Sequence, residues 1–232
     1  MNGVEGAIRQ AAARLLAEGR VETVLGYARG TVPFRTVPAF VRAAGEAERL
    51  VWNRFCTNNL ALYVPRVAAR GPLALVAKGC DARALAVLLQ EHQVARDRVV
   101  VLGVPCPGLV DVRRLAARVH LRDIAAVCEV DGELRVETPQ GERRIPVGEL
   151  LLDDCRACGH PTPFLADELP GDGQGIALPA GEGALGARTL PGGPADERLR
   201  AWRVHLERCL RCYACRAACP ACYCRTCFAD KV

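Results

Sequence analysis

Seven cysteines, Cys209, Cys212, Cys215, Cys219, Cys222, Cys224 and Cys227, fall within nineteen residues near the end of the chain. The first four read C-x-x-C-x-x-C-x-x-x-C and are closed by Pro220. That spacing is the bacterial ferredoxin pattern for thiolate ligation of a 4Fe-4S cube, in which the fourth cysteine serves a second cluster. Two-residue gaps in a curling backbone bring three thiolates to one cubane, and the fourth ligand comes from elsewhere. Pro220 fixes its own φ and offers no backbone donor, which helps to turn the chain away. A disulfide framework and a structural zinc knuckle are the competing readings. Zinc sites prefer two separated C-x-x-C pairs over a dense triplet, so iron-sulfur chemistry and electron transfer are expected.

The other thiols are spread along the chain. Cys155 and Cys158 form a C-x-x-C pair within LLDDCRACGHPTP. A thioredoxin-type motif would run into a helix, which Pro161 and Pro163 disfavour, so ligation is the expected use. Cys56, Cys80 and Cys106 each follow a short apolar run, and a helical pattern separates one run from the next. Together with the tail these make twelve candidate ligands, enough for three cubes at four thiolates each. One or two clusters belong to the tail, whose seven thiols are one short of the eight that two cubes need, with Cys155-Cys158 the expected supplier. A third site at Cys56, Cys80 and Cys106 is the further expectation. Cys128, inside a strand-like run, is expected to be core. Lys78 and Asp81 flank Gly79-Cys80 and are candidate cofactor-binding residues, the ammonium meeting an anionic cofactor or lowering the thiol's pKa.

These residues need a scaffold. At 232 residues the chain can bury one good core plus a smaller appendage. Residues 4 to 19 repeat apolar side chains at the helical period, and strand-like runs follow at 21 to 27 and 36 to 42. LVWN before Cys56, LALVAKG before Cys80 and RVVVLGVP before Cys106 alternate with the helical patterns TNNLALYVPRVAA and ARALAVLLQEHQ. Thr57 or Asn58 would cap the first of these helices and Asp81 the second. This is the signature of βαβ units, and right-handed crossovers would bring all three cysteines to the carboxyl edge of a parallel sheet. A helical segment from Val110, a hairpin around Asp131-Gly132 and a turn at Pro139-Gln140-Gly141 follow. The expected fold is α/β: a parallel-sheet domain of βαβ units over 1–166 with a β-hairpin insertion. A Gly/Pro-rich linker follows over 167–197, and a small C-terminal ferredoxin-like segment over 198–232, entered by a helix from Asp196 to Leu206. Gly181 to Gly186 spell G-x-G-x-x-G, but no helix follows to aim amides at a pyrophosphate, so it is not read as a dinucleotide site.

Composition excludes several classes. No run of about 18 apolar residues exists, so no membrane-spanning helix is expected. The first twenty residues mix Glu and Arg in an amphipathic pattern, which is not a signal peptide, and a cytoplasmic, reducing location is expected. Of the 31 basic residues only Lys78 and Lys231 are lysines, and the net charge is +5. Arg198, Arg200, Arg203, Arg208, Arg211, Arg216 and Arg225 surround the tail cysteines, where they offset the charge of thiolate-ligated iron. Acids interleave with these arginines and no reading motif accompanies them, which argues against nucleic acid as a partner.

The stretch VAKGCDARALAVLLQEHQVARDRVVVLGVPCPGLVD, with DDCRACGHPTP behind it, resembles the beta-subunit family of coenzyme F-420-reducing hydrogenase and formate dehydrogenase. The tail RCLRCYACRAACPACYCRTC looks like the ending of family members found beside formate dehydrogenase or heterodisulfide-reductase-type subunits. The resemblance covers roughly residues 50–165 and 200–228. It implies an α/β domain with 4Fe-4S clusters that relays electrons between catalytic oxidoreductase subunits and a ferredoxin or flavin carrier. A flavin- or deazaflavin-dependent oxidoreductase subunit, with FAD or FMN held near Cys80 and Cys106, is the alternative reading, and a zinc-stabilised interaction module the second.

Overall fold

The computed structural model describes residues 2–171 and 193–224. The chain opens with helix α1 (Asn2–Ala17) and passes into strands β1 (Thr23–Arg29) and β2 (Thr36–Val41). A 3-10 turn at Ala44–Arg49, a long loop and a second 3-10 turn at Leu60–Tyr63 lead to the short helix α2 (Val64–Ala68). Strand β3 (Leu73–Ala77), helix α3 (Gly79–Gln90) and strand β4 (Val99–Gly103) form a βαβ unit, followed by helix α4 (Val112–Ala116). Strands β5 (Ala126–Val130), β6 (Glu133–Thr138) and β7 (Gly141–Pro146) come next, then helices α5 (Val147–Leu150) and α6 (Asp153–Arg156). Helices α7 (Ala195–Leu206) and α8 (Ala214–Ala218) complete the described elements.

Two sheets result. The first has the order β2-β1-β3-β4, with β1, β3 and β4 parallel and β2 antiparallel at one edge. Strand β3 lies between parallel neighbours and is buried along its whole length, as its continuous LALVA run requires. The second sheet is an antiparallel meander, β5-β6-β7. Asp131 and Gly132 both take positive φ, 50° and 78°, at its first turn, as a primed hairpin turn needs. Each sheet owns a core. Leu15, Leu25, Leu75, Leu85 and Val101 pack around the first, whereas Phe55, Val110, Leu115, Leu134 and Val136 pack around the second.

The parallel sheet is therefore mixed at its edge, and three expectations need local correction. LVWN does not form a strand. It runs in the loop after the first 3-10 turn, where the Val51 N–H donates to the Tyr27 carbonyl at 2.9 Å. The helix expected over TNNLALYVPRVAA is two short pieces, and Asn59 rather than Thr57 or Asn58 caps the first by accepting from the Ala61 N–H at 3.0 Å. Pro65 sits in the first turn of α2, where a missing N–H costs nothing, so the α-helix starts just before it. Cys128 is exposed rather than core. It alternates along β5 with Val127, which takes the face toward the second core, so period-2 geometry sends the thiol outward.

Most of the expected linker, including Gly181 to Gly186, lies outside the described residues, as do Arg225 and Cys227. The helix expected from Asp196 is present as α7. Among the described residues no helix is long and apolar enough to cross a membrane.

Candidate functional site: thiols at the carboxyl edge of the parallel sheet

Strands β3 and β4 end side by side, Ala77 opposite Gly103, so the segments that follow them leave from one edge. Lys78-Gly79-Cys80 turns at once into α3, and Val104-Pro105-Cys106 continues as a loop. A third strap crosses over both. The Cys106 N–H donates to the Pro161 carbonyl at 2.9 Å, and the His160 carbonyl rests so closely on Gly79 that a β-carbon there would collide with its oxygen. Only glycine accepts that approach.

The strap begins at α6, which carries Cys155. Helix α6 is held against the 106–110 loop by the Leu152 N–H donating to the Leu109 carbonyl at 2.9 Å. Gly108, at φ +90°, lies close beneath the Cys155 β-carbon. Cys80, Cys106 and Cys155 therefore stand near enough to feel one another's charge, and Cys158 joins through Cys155. Cys106 is buried, Cys155 and Cys158 are half-buried, and Cys80 keeps an exposed surface at the rim. The surrounding protein nonetheless strips water from the Cys80 thiol and pushes it up to about 11, with Asp81 adding to the rise and Lys78 opposing it. Burial likewise pushes Cys106 up to about 12, against a hydrogen bond from Gly108 and the charge of Lys78, and it raises Cys155 as well. Uncharged thiols are what such a pocket favours until a cation compensates them.

Beneath these thiols lies a buried ion pair. The Lys78 and Asp81 side chains are both 0% exposed and 2.8 Å apart. The ammonium also meets the Tyr27 hydroxyl, donates to the Asn58 carbonyl at 2.9 Å and stands 4.7 Å above the Tyr27 ring. Asp81 is the third residue of α3 rather than its cap, and it accepts from the Lys78 and Leu60 N–H groups, each at 2.8 Å. Burial alone would lower the lysine's pKa, but Asp81 and the nearby thiols hold it above its ordinary value. Both residues expected from sequence to be cofactor contacts are thus fully engaged by protein groups, with the charge of Lys78 delivered to the thiols through space.

Cys56 reaches the same end of the sheet by way of its loop, not a strand. Its thiol is fully buried beside Asn53, Thr36 and Lys78, and burial pushes it up to about 11. Arg54 fixes that loop. Its guanidinium forms a two-pronged pair with Glu129 on β5, at 2.7 and 2.6 Å, and meets the Pro107 carbonyl. Its own carbonyl accepts from the Val110 N–H at 2.9 Å. One arginine thereby ties together the Cys56 loop, the Cys106 loop and the second sheet. Nothing in the sequence singles it out among so many arginines.

The tail cysteines form a separate locus. Cys209, Cys212, Cys215, Cys222 and Cys224 are exposed and Cys219 is half-buried. Arg211 and Tyr213, between them, take left-handed φ of 52° and 58°, curling the backbone through the C-x-x-C-x-x-C run. Arg216 donates to the Cys224 carbonyl at 2.8 Å and closes the loop back on α8. Tyr223 packs against the first core, and its hydroxyl meets Glu91 at the end of α3. Among the described residues no three Cys, His, Asp or Glu side chains converge closely enough for a single metal ion. A cubane asks for less convergence, since each thiolate binds its own iron corner.

Known proteins share this architecture. A solved chain of the F420-reducing NiFe hydrogenase complex from Methanosarcina barkeri superposes with a TM-score of 0.51 at 15% identity, over 66% of this chain and 58% of that one. In sequence the chain is 23% identical to the F420-dependent formate dehydrogenase subunit beta of Methanocaldococcus jannaschii, covering 97% of this chain and 74% of the relative. The F420-dependent formate dehydrogenase 1 subunit beta of Methanococcus maripaludis is 22% identical, over 96% of this chain and 73% of its own. Residues 71–189, which include Cys80, Cys106, Cys155 and Cys158, match the family defined by the C-terminal part of the coenzyme F420 hydrogenase/dehydrogenase beta subunit, and the chain belongs to that family.

Proposed function

We propose that the chain is an iron-sulfur electron-transfer subunit of a multi-subunit oxidoreductase of formate dehydrogenase, hydrogenase or heterodisulfide-reductase type. It relays electrons between a catalytic partner and a ferredoxin or flavin carrier. The observation that carries this reading is the meeting of Cys80, Cys106 and Cys155 from three separate segments at one sheet edge, in a chain that also bears the C-x-x-C-x-x-C tail. The names of the relatives, formate dehydrogenase beta subunits, support the same assignment.

The donor set fits a 4Fe-4S group, because its members are thiols, partly enclosed and without carboxylates on the 158–163 segment that crosses them. Cys80, Cys106, Cys155 and Cys158 would hold one cube, and the tail cysteines, Cys227 included, one or two more. When bound, such clusters supply one-electron storage. The protein does the rest. Lys78 places a fixed positive charge below the edge thiols and favours their deprotonated, ligating form. Asp81 orients that ammonium, and Arg54 holds two of the loops in register. The 158–163 strap covers the mouth and limits water. The arginines along α7 and α8 add positive charge around the tail.

Iron and acid-labile sulfide analysis of anaerobically purified protein tests the assignment. About eight to twelve irons per chain are expected at four per cube. Changing Cys80 and Cys106 together to Ala should remove about four of them. A colourless, zinc-loaded protein, or one that releases FAD or FMN and holds no iron, would overturn it.

A further inference from the structure

The opposite end of the parallel sheet carries a second cavity, unrelated to the thiols. Its volume is about 380 Å³, within the usual range for small-ligand pockets. It opens where β1 begins, β2 ends and the chain enters β3, so the whole length of the strands separates it from Cys80 and Cys106. Arg42 enters from just past the end of β2, Arg66 from α2, and Arg70 from the turn that follows α2. Arg66 and Arg70 have no carboxylate partner among the described residues, although many other arginines of the fold do. One carboxylate, Glu22, lies on the floor over Gly71, so close that a β-carbon there would collide with it. Between the arginines Phe40 and Tyr63 meet edge to face, with centroids 5.7 Å apart, and Phe40 is 39% exposed.

Three guanidinium groups and one carboxylate line the cavity, and Glu46, which accepts from the Arg42 N–H at 3.2 Å, offsets part of the Arg42 charge, so the site is net positive. Planar guanidinium forks match phosphate oxygens in pairs, and an exposed ring beside them offers a stacking face. Each element alone is ordinary. Their meeting in one partly apolar cavity is selective for a ligand that has both a dianionic head and a flat ring. We infer that this pocket binds a phosphate monoester of a heterocyclic ring, of the nucleoside monophosphate class. The phosphate lies between Arg42, Arg66 and Arg70, and the ring against Phe40 and Tyr63. The inference goes beyond electron transfer and does not depend on it, because no cysteine among the described residues lines the cavity.

Calorimetric titration of the full-length protein with AMP and with UMP tests it, alongside adenosine and inorganic phosphate as partial ligands. At least one of the two nucleotides should bind saturably with one site per chain, and both partial ligands about tenfold or more weaker. Arg66→Ala and Arg70→Ala should each weaken the nucleotide by about tenfold, and Phe40→Ala should weaken the nucleotide while leaving inorganic phosphate unchanged. Glu22→Gln should tighten binding several-fold by removing the carboxylate that lines the cavity. All four substitutions lie at exposed positions, and an unchanged circular dichroism spectrum and thermal melting midpoint would show that each variant is folded. The proposal is overturned if neither nucleotide saturates, if the doubly substituted R66A/R70A protein binds as tightly as the parent, or if inorganic phosphate or poly-glutamate binds as well as the nucleotide.

Discussion

Gly79 lies directly beneath the carbonyl of His160, at a separation that leaves no room for a β-carbon. The contact presses the strap that carries Cys158 down onto the first turn of α3, where Cys80 stands. It is a backbone-to-backbone contact, so no side-chain rotation can relieve a larger residue.

Gly79→Ala should therefore lift the strap rather than pack beneath it. A loss of about 1–3 kcal/mol in stability is expected, as for other overpacked sites. The measurement is a pair of chemical denaturation curves, together with the rate at which Cys106, the buried thiol, reacts with a small alkylating reagent in metal-free protein, read by peptide mapping. Faster alkylation with little change elsewhere would confirm that the strap is the cover, whereas an unchanged rate would show that the thiol is shielded by something else.

Lys78→Met leaves Asp81 buried with no counter-charge, and removing one member of such a pair costs about 3–5 kcal/mol. Replacing both, as in Lys78→Met with Asp81→Asn, should recover a large part of the loss, because the amide oxygen still accepts from the backbone N–H of Leu60 or of position 78. A double-mutant cycle in urea reads the coupling directly. Additive effects would mean that the ammonium is sustained by Tyr27 and the Asn58 carbonyl alone.

Arg54→Ala breaks a two-pronged pair with Glu129 and a contact to the Pro107 carbonyl in one step. Hydrogen bonds to charged groups are worth about 1.5–3 kcal/mol, and a destabilisation in that range is expected. Amide hydrogen exchange should localise the loosening to the segments around 53–56, 106–110 and β5. Exchange that quickens evenly over both sheets would instead point to a general loss of stability.

Glu142 offers a pH signature. Hydrogen bonds from Arg135 and Arg144 on the meander hold its carboxyl at about 2, below its ordinary 4.5. Its folded pKa is depressed, so its contribution is complete above about pH 4.5 and fades as the pH falls toward 2. Glu142→Gln should melt slightly below the parent at pH 7 and together with it near pH 2. Because these side chains are exposed, high salt should narrow the gap at neutral pH. A difference that persists at pH 2 would assign the effect to packing.

The chain announces its chemistry more openly than its scaffolding. The βαβ order around Cys80 and Cys106, the turns at Asp131-Gly132 and Pro139-Gln140-Gly141, and helix α7 are legible because apolar period and turn residues act locally. LVWN misled because a short apolar run buried by surrounding loops has the same composition as a buried strand. Cys128 misled because alternation tells that two faces exist without telling which one the second core takes. Arg54 and Gly79 had no local signal at all. Their importance comes from partners 75 and 81 positions away, Glu129 and His160, and such pairings exist only in three dimensions.

The two groups of thiols also differ in when they come into being. The tail writes its spacing into nineteen consecutive residues, so even an unfolded or newly made segment keeps the whole set within about 60 Å of extended chain. The edge group draws on positions 80, 106 and 155, and its geometry appears only after β3, β4, the meander and α6 have assembled. Denaturant should accordingly erase the edge group in one cooperative step while leaving the tail's spacing intact, which makes the edge group a reporter of folding as well as a candidate for ligation.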